Sequence, residues 1–398
     1  MIPRKLAEKI QESAGLYPVV TITGPRQSGK TTLVRALFSD YPYVSLEDPE
    51  YRAFADEDPR RFLDAFGERV VFDEVQRVPD LFSYIQTAVD ATDRPGQFIL
   101  TGSQNFLLAK SIGQSLAGRC AIHHLLPFSL GELMGWDEPP PDEIGRAFPP
   151  ERNAPELDLD ATLFTGFYPR IHDKGIPARD WLRNYSQTYL ERDVRDILNV
   201  GDLEAFQRFM GLCAGRTGQL LNLSGLAADC GISHTTARRW LSVLEASFIA
   251  IRLPPHFRNF NKRLVKSPKL YFLDTGLLCH LLRIREPGDL AIHASRGAIF
   301  ESFVVSEFFK RAMHSGTSPD LYFWRDSAGN EVDLLLDRGT RLIPVEIKSG
   351  RTVSRDFFKG LNYWRGLSGD EEGPAGLIYG GTHSHRRGGA CVYGWFGF

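Results

Sequence analysis

Short apolar runs alternate with longer charged stretches in the first third of the chain. The runs are rich in Val and Ile and lie at 18–23, 43–46, 69–74 and 97–103. Runs of this length, separated by segments long enough for a helix, are typical of buried parallel strands. The pattern therefore predicts an α/β fold with a parallel sheet in the N-terminal third.

The pattern of apolar and polar positions changes after Leu133. Residues 136–160 are crowded with Pro, Asp and Glu, which predicts an exposed insertion or linker. Residues 181–200 have helical spacing and many charges, and a compact helical region then extends to about residue 247. Strands and helices mix again beyond it. These changes divide the sequence into four segments, at 1–135, 136–200, 201–290 and 291–398.

Composition and charge exclude several classes of protein. The 398 residues are 42% hydrophobic and 24% charged, with a formal net charge of -2, which is ordinary for a soluble globular protein. A nucleic-acid contact would therefore need a local basic patch. Five cysteines without CxxC or Cys/His spacing argue against a disulfide framework and a structural zinc site. No apolar run approaches the roughly twenty residues that cross a bilayer, so a cytoplasmic protein without membrane contact is expected.

The segment GPRQSGKTT directly follows the first apolar run and meets the full G-x-x-x-x-G-K-[ST] pattern of a P-loop. Backbone N–H groups of such a loop surround phosphate oxygens, and the next helix turns its positive end toward the anion. Lys30 is expected to reach the β and γ phosphates, and Thr31 to ligate Mg²⁺. The sequence thus predicts ATP and Mg²⁺ as ligands. The predicted nucleotide contacts in this loop are Gly24, Pro25, Arg26, Gln27, Ser28, Gly29, Lys30, Thr31 and Thr32.

Two carboxylates end the apolar run VVFDE. Asp73 is expected near the Mg²⁺ ion, and Glu74 is expected to activate the attacking water as a general base. The next run, FILTGS, ends in Thr101 and Ser103 and is followed by Gln104. These polar side chains either orient the water and sense the γ-phosphate, or they cap the following helix.

Hydrolysis of ATP also requires a positive charge near the transferred phosphoryl group. Arg119, in the segment SLAGR, is the first candidate for this arginine, and Arg192 and Arg195 are the next candidates. We expect a homo-oligomer in which the arginine of a neighbouring copy reaches the γ-phosphate.

The chain resembles the AAA-type ATPases of bacteria and archaea that carry a C-terminal domain of unknown function. The segments that carry the resemblance are GPRQSGKTTL, FDEVQRVPDLF, FILTGSQ, and SLAGR followed by LLPFSLGEL. YLERDV at 189–194 and KLYFLDTGL at 269–277 are similar to the second region of that family, so the match covers nearly the whole chain. The resemblance implies a P-loop ATPase domain at 1–135, a winged-helix element and a terminal nuclease-like domain.

A helix-turn-helix pattern lies at 223–247, with the turn at Gly231 and Ser233 as the N-cap of the second helix. The strand FIAIRL, a loop and the strand KLYFL would supply the wing, so segment 201–290 is predicted to be a winged-helix domain. The expected inward residues of the second helix are Ala237, Trp240, Leu241 and Leu244. The outward residues, placed as in a recognition helix, are His234, Thr235, Arg238 and Arg239.

A basic stretch follows this pattern, because no acidic residue lies between Ala246 and Leu273. Its cationic residues are Arg252, Arg258, Lys262, Arg263, Lys266 and Lys269, with Phe257 and Phe260 among them. Such a patch predicts DNA as the partner. The alternative is a protein-contact module whose wing is basic because it is solvated. The predicted DNA contacts are Arg238, Arg239, Arg258, Lys262, Arg263 and Lys266.

A group of charged residues stands out in segment 291–398. Glu301 falls in an amphipathic helix, Asp333 in a strand at 323–336, and Glu346 and Lys348 share one face of the strand IPVEIKSG at 343–350. The two strands are joined by a turn around Gly339. Asp333 and Glu346 are expected to hold Mg²⁺, with Mn²⁺ as an alternative, and the metal would activate water while Lys348 orients it.

This group resembles the D…ExK signature of the restriction-endonuclease-like superfamily. The resemblance implies a restriction-endonuclease-like α/β domain with Glu301, Asp333, Glu346 and Lys348 as its catalytic residues. The alternative is an inactivated nuclease scaffold, or charged residues on half-exposed strands.

Three functions are consistent with the sequence. In the first, ATP hydrolysis drives the movement of DNA that the winged helix grips and the terminal domain cuts. In the second, the nucleotide state switches the pose of a winged helix and an inactive scaffold that bind DNA or a protein. In the third, a signalling ATPase uses its wing for contacts in an oligomer.

Overall fold

The computed structural model describes residues 2–103, 115–137, 143–149, 158–189, 203–257 and 264–398. The chain divides into two compact units. The first consists of Met1–Phe128, Ala246–Phe248 and Ala312–Ser318, and the second of Ser129–Glu245, Ile249–Arg311 and Pro319–Phe398.

The first unit is built on a five-stranded parallel sheet in the order β2-β3-β4-β1-β5. Its strands are β1 (Val19–Thr23), β2 (Tyr43–Ser45), β3 (Val70–Asp73), β4 (Phe98–Gly102) and β5 (Cys120–His124). Its helices are α1 (Leu6–Ala14), α2 (Lys30–Leu37), α3 (Pro49–Glu57), α4 (Pro59–Ala65) and α5 (Leu81–Thr92). The predicted α/β sheet is confirmed, together with the four strands expected from the apolar runs.

Alternate residues of these strands face opposite sides of the sheet, as the two-residue period of a strand requires. Val70 and Phe72 pack in one apolar cluster with residues of α4 and α5. Val71 and Ile99 pack in a second cluster with residues of α1 and α2. Helices therefore cover both faces, which explains why these strands are continuously apolar in sequence.

The strand order determines which residues meet at one edge of the sheet. β4 lies between β1 and β3, and all three strands run in the same direction. The residues that follow β1, β3 and β4 therefore lie side by side at the carboxyl edge, where ligands of parallel sheets commonly bind.

The remaining strands form a hairpin and a six-stranded sheet of order β12-β13-β11-β10-β9-β8. β6 (Ala250–Leu253) pairs antiparallel with β7 (Lys269–Phe272). The six-stranded sheet contains β8 (Leu321–Arg325), β9 (Glu331–Asp337), β10 (Leu342–Lys348), β11 (Gly376–Tyr379), β12 (His385–Arg387) and β13 (Ala390–Gly394). β8, β9 and β10 are successive antiparallel strands, whereas β11 is parallel to both β10 and β13.

Eleven further helices complete the described part of the chain. They are α6 (Leu130–Met134), α7 (Leu159–Thr165), α8 (Pro169–Lys174), α9 (Ala178–Tyr189), α10 (Leu203–Gly215), α11 (Leu223–Cys230), α12 (His234–Ala246), α13 (Thr275–Leu281), α14 (Pro287–Ile292), α15 (Arg296–His314) and α16 (Lys359–Ser368). None of the described helices is both long and apolar enough to span a membrane. All five cysteines are free thiols, as expected, and all but Cys120 are buried.

One local expectation fails at two residues, and another was wrong. Residues 143–149 belong to the segment expected to be an exposed linker, but Ile144 is buried and the Gly145 N–H donates to the Tyr393 hydroxyl at 2.8 Å. Residues 323–336 were expected to form one strand, but they span the end of β8, a turn and most of β9. The Asp326 side chain stabilises this turn by accepting from the backbone N–H groups of Ala328 and Asn330.

Candidate functional site

The P-loop lies between β1 and α2, as the motif requires. Gly24 has φ 155° and Gly29 has φ 95°, conformations that favour glycine. A Cβ atom at Gly24 would lie only 2.0 Å from the Leu125 carbonyl oxygen, so no larger residue fits there. The two glycines thus allow the chain to wrap around the N-terminus of α2, where backbone N–H groups favour an anion.

The interior of the loop offers donors for a phosphate. The Lys30 ammonium is buried and donates to the carbonyl oxygens of Gly24 and Pro25, both at 2.9 Å. The Ser28 hydroxyl is fully buried, and no described residue forms a hydrogen bond with it. A buried hydroxyl of this kind lowers the stability of the fold unless a ligand or water forms a hydrogen bond with it. The loop therefore fits the phosphate chain of a nucleotide.

Arg4 supports the loop from outside it. Its guanidinium is buried and donates to the Ser28 carbonyl at 2.8 Å and to the Leu126 carbonyl at 2.6 Å. The same group lies over the Phe128 ring, 4.6 Å from the centroid. Sequence reasoning missed this residue, because an arginine just before a charged amphipathic helix resembles an ordinary surface residue.

Asp73 is the last residue of β3, and three hydroxyl groups surround its carboxylate. Its carboxylate accepts from Thr31 at 2.9 Å, and it also accepts from Thr101 and Tyr43. Burial and the neighbouring Asp73 charge raise the pKa of Tyr43, so its phenol stays protonated and donates. This contact between Thr31 and Asp73 is consistent with a shared Mg²⁺ site, in which their oxygens would ligate the ion directly or through water.

Glu74 adopts the left-handed conformation, with φ 56° and ψ 43°. Such a backbone is uncommon for a residue with a side chain and concentrates at functional sites. The Glu74 carboxylate accepts from Gln76 and from the Ser103 hydroxyl, the latter at 3.0 Å. The neighbouring ends of β3 and β4 thus come into contact through their side chains.

Arg119 lies away from this site within one chain, so its predicted contact with a nucleotide could be made only to a neighbouring copy. It precedes β5, and its carbonyl accepts from the Val19 N–H at the start of β1, whereas the P-loop follows the end of β1. The five residues of β1 separate these edges by about 16 Å. Arg119 pairs there with Asp90. The other candidates, Arg192 and Arg195, lie outside the described residues, as does Gln104.

The helix-turn-helix pattern matches α11 and α12. Ser233 accepts from the Thr236 N–H at 3.0 Å, which confirms the predicted N-cap. The predicted inward and outward residues of α12 are confirmed too. The buried residues include Ala237, Trp240, Leu241 and Leu244, and the exposed ones include His234, Thr235, Arg238 and Arg239.

The basic stretch after α12 is only partly a free cationic surface. Lys266 is exposed, but Arg252 pairs with Glu245. Lys269 is buried, so its expected place in a solvated patch was wrong. The predicted contacts Arg258, Lys262 and Arg263, together with Phe260, lie outside the described residues.

Asp333, Glu346 and Lys348 meet where the start of β9 lies beside the end of β10. The register pairs Val345 with Leu334, which brings the next residues of the two strands side by side. The Lys348 ammonium lies 2.7 Å from Asp333 Oδ2 and 2.5 Å from Glu346 Oε2. Asp333 also accepts from the Ile347 N–H at 2.9 Å. The three side chains expected on adjacent strands are therefore in direct contact.

Glu301, on α15, reaches the same group through a lysine that the sequence did not assign to it. Lys269 lies 2.9 Å from Glu301 Oε1 and 2.5 Å from Glu331 Oε1, and the Tyr271 hydroxyl donates to Glu301 Oε1. Burial alone would lower the pKa of Lys269, but the charges of Glu301, Glu331 and Asp333 raise it. The site therefore contains four carboxylates and two ammonium groups.

The environment shifts the pKa values of the two carboxylates expected to hold a metal in opposite directions. Burial and the Asp333 charge raise the pKa of Glu346 well above its usual range. Burial also acts to raise the pKa of Asp333, but Lys348 and Lys269 outweigh it and lower that pKa. Acids whose pKa values diverge in this way are typical of functional sites.

A divalent cation fits these residues as a two-carboxylate site. Glu346 Oε1 is buried, and no described residue donates a hydrogen bond to it. Mg²⁺ is often bound by one or two carboxylates with water completing its shell. Among the described residues, no group of three or more His, Cys, Asp or Glu is placed to hold a metal ion. Asp333 and Glu346 would therefore hold the ion with water, and the Lys348 ammonium already contacts both of these carboxylates.

Three protein-family models match successive parts of the chain. Residues 16–134 match an AAA domain. Residues 156–288 match a domain of unknown function (DUF8612), and residues 296–395 match another (DUF4143). The phosphate site lies in the first of these regions and the carboxylates of α15, β9 and β10 in the third.

Two mycobacterial proteins match most of the chain. They are uncharacterized protein Rv2008c of Mycobacterium tuberculosis and uncharacterized protein Mb2031c of Mycobacterium bovis. Each is 31% identical to this chain over 352 residues, which is 88% of this chain and 75% of the relative.

Solved structures with similarity to this chain are more distant. The Walker-type ATPase PABY2304 of Pyrococcus abyssi is 17% identical, with a TM-score of 0.46, and the match covers 71% of this chain and 96% of that one. The Holliday junction branch migration motor RuvB of Thermotoga maritima is also 17% identical, with a TM-score of 0.28 and a match covering 63% of this chain and 88% of that one. Similarity at this level supports no argument about activity.

Proposed function

This chain belongs to the same family as the two mycobacterial proteins, and on this premise we propose an ATP-dependent DNA-processing enzyme. Its N-terminal part is a P-loop ATPase of the AAA type. In the proposal, ATP hydrolysis moves DNA that α12 and the β6–β7 hairpin hold as a winged helix. The restriction-endonuclease-like C-terminal sheet cuts that DNA.

The contact among Asp333, Glu346 and Lys348 is the observation that carries the nuclease part of this proposal. The carboxylates would hold Mg²⁺ or Mn²⁺, and a metal at such a site supplies a water nucleophile and neutralises charge on the phosphodiester. Lys348 would orient the attacking water in this proposal. The order of α15, β8, β9, β10, α16 and β11 also supports a nuclease-like fold.

The ATPase part needs a positive charge that Arg119 of the same chain does not supply. We place this charge on an arginine of a neighbouring copy, so the active form is a homo-oligomer. Glu74 acts as the general base in this scheme, and Ser103 fixes the position of its carboxylate at 3.0 Å.

Asp333→Asn is expected to lower Mn²⁺-dependent nicking of supercoiled plasmid by about 10- to 100-fold, because it removes a metal-holding charge. Asp337→Asn, four residues along the same strand, is the matched control and should nick like wild type. Lys30→Ala should lose ATP hydrolysis, and comparing its nicking with wild type reports whether the two centres are coupled. Plasmid that stays intact with wild-type protein in both Mg²⁺ and Mn²⁺ contradicts the nuclease proposal.

One observation favours a second function. Lys269 already pairs with Glu301 and Glu331, and Lys348 with Asp333 and Glu346, as structural cations would in an inactive scaffold. In that case the chain is a nucleotide-dependent switch that binds DNA or a protein without cutting. Slow turnover, tight retention of nucleotide and intact plasmid would favour the switch, whereas rapid DNA-stimulated hydrolysis would favour the enzyme.

Replacing Arg238 and Arg239 together by Ala should weaken DNA binding about equally for all sequences. Both side chains are exposed on α12, and each phosphate contact that is lost should reduce the slope of log affinity against log salt by about 1. Fluorescence anisotropy with labelled duplexes at several salt concentrations measures this slope. Arg60→Ala with Arg61→Ala, an adjacent exposed pair on α4, is the control. An unchanged slope in the α12 variant would show that DNA contacts a different surface of the protein.

A further inference from the structure

Arg4 connects the phosphate-binding loop to the segment that follows β5. Its guanidinium is buried and donates from Nη1 to the Ser28 carbonyl at 2.8 Å and from Nη2 to the Leu126 carbonyl at 2.6 Å. A planar guanidinium that donates through two nitrogens fixes both acceptors in one geometry, which a single ammonium does not do. Arg4 therefore holds the last part of the loop at a set distance from Leu126.

The segment after β5 also supports the first part of the loop. The Leu125 N–H donates to the Thr23 carbonyl at 2.8 Å, so Leu125 extends the pairing of β5 with β1. The Leu125 carbonyl lies against Gly24, where a Cβ atom would be only 2.0 Å from its oxygen. This segment thus supports the loop directly at its first glycine, and at Ser28 through Arg4.

The contact at Ser28 determines the direction of the next backbone N–H group. In a planar trans peptide, the carbonyl and the N–H point in opposite directions. Because the Ser28 carbonyl points toward Arg4, the Gly29 N–H points away from it. The N–H groups of such a loop bind phosphate oxygens. Arg4 therefore acts on a part of the backbone that binds the ligand of the loop.

We propose that Arg4 is a positioning residue for the nucleotide, and that it acts by holding the peptide between Ser28 and Gly29 with its N–H toward the phosphates. The inference rests on the ATPase part of the proposed function and is independent of the nuclease and of DNA. The loop backbone surrounds the α and β phosphates, which ADP and ATP share. Arg4 therefore contributes equally to the binding of both nucleotides.

The catalytic step does not depend on Arg4 in this scheme. The carboxylate of Glu74, the proposed general base, accepts from Gln76 and from Ser103. The residues that hold this carboxylate are thus different from the residue that holds the loop. A change at Arg4 should alter nucleotide affinity and leave the turnover of bound ATP largely unchanged.

Arg4→Met is expected to weaken the binding of MgADP and of MgATP by the same factor, about tenfold or more, because charge-assisted hydrogen bonds to the loop are lost. Isothermal titration of the full chain measures both affinities. The KM for ATP should rise by a similar factor, while kcat at saturating ATP stays within about twofold of wild type. Unchanged affinity, a loss confined to MgATP, or a fall in kcat larger than the rise in KM overturns the inference.

Arg311→Met is the matched control, because Arg311 makes the same kinds of contact in the second unit. Its guanidinium is buried, donates to the main-chain oxygen of Phe398 at 2.7 Å and lies 4.9 Å from the centre of the Phe398 ring. Both Met variants should lower the Tm, whereas only Arg4→Met should weaken nucleotide binding. Equal losses of affinity in the two variants would show a general effect of lower stability and contradict a positioning role.

Arg4→Lys keeps the test decisive if Arg4→Met does not fold. Lysine retains the positive charge and an aliphatic stem, but it does not donate to both carbonyls in the planar geometry of a guanidinium. Arg4→Lys should therefore bind MgADP at least about threefold more weakly than wild type. Affinity equal to wild type would show that a positive charge alone is sufficient, and would overturn the inference.

MgADP binding also separates failure of this inference from failure of the proposed function. A wild-type protein that does not bind MgADP would remove the nucleotide site, and with it both the proposed function and the role of Arg4. Binding of MgADP by wild type, with equal affinity in Arg4→Met and Arg4→Lys, would retain the nucleotide site and remove only the role of Arg4.

Discussion

Glu74→Gln is expected to lower the rate of ATP hydrolysis by about 10²-fold or more while ATP still binds. A positioned general base contributes about 10²- to 10⁴-fold to a rate, and an amide cannot accept the proton of the attacking water. The residues expected to bind ATP, Lys30 and Thr31, are unchanged. Phosphate release measures turnover, and fluorescence of a labelled ATP analogue measures binding.

Asp80→Asn makes the same chemical change six residues along the chain and serves as the control. Asp80 is exposed, and its side chain forms no cap bond at α5. Lys30→Ala should differ from Glu74→Gln by losing binding as well as turnover. Normal turnover in Glu74→Gln would show that Glu74 holds the loop after β3 and that another group activates water.

The chemistry of the ATPase site was predictable from sequence, but its assembly was not. The P-loop, Asp73 and Glu74 have spacings that local rules recognise. The order of strands is a long-range property, and only this order brings Ser103 of β4 to Glu74. β5 escaped prediction because CAIHH is short and partly exposed, without a continuous apolar run. Without β5, the distance of Arg119 from the P-loop could not be inferred.

Contacts of Tyr43 and of the C-terminal site also depend on pairing between distant parts of the sequence. Tyr43 resembled an ordinary strand residue, and its contact with Asp73 depends on the pairing of β2 with β3. Asp333, Glu346 and Lys348 were predictable, because their spacing on two strands carries the signal. Lys269 looked like part of a basic wing, since nothing local marks a lysine whose partners lie 32 and 62 residues away.

Lys310→Met is expected to lower the free energy of unfolding by about 3–5 kcal/mol, because it leaves a buried charge without its partner. Lys310 and Glu307 form an ion pair on α15 with both side chains fully buried. Glu307 also accepts from the Leu130 N–H at 2.8 Å, and the Lys310 ammonium lies 4.0 Å from the centre of the Phe167 ring. Lys310 moreover acts to lower the pKa of Asp274, which burial raises. Urea unfolding measures the change.

Lys359→Met is the matched control, since Lys359 pairs with Asp356 at the same three-residue spacing but both side chains are largely exposed. Such a pair contributes at most about 1 kcal/mol. Lys310→Met with Glu307→Gln should recover most of the loss, because the amide still accepts from Leu130 and no charge is stranded. A cost below about 1 kcal/mol for Lys310→Met alone would contradict this account of the ion pair. The pair would then contribute little to holding α15, the helix that carries Glu301 into the carboxylate site.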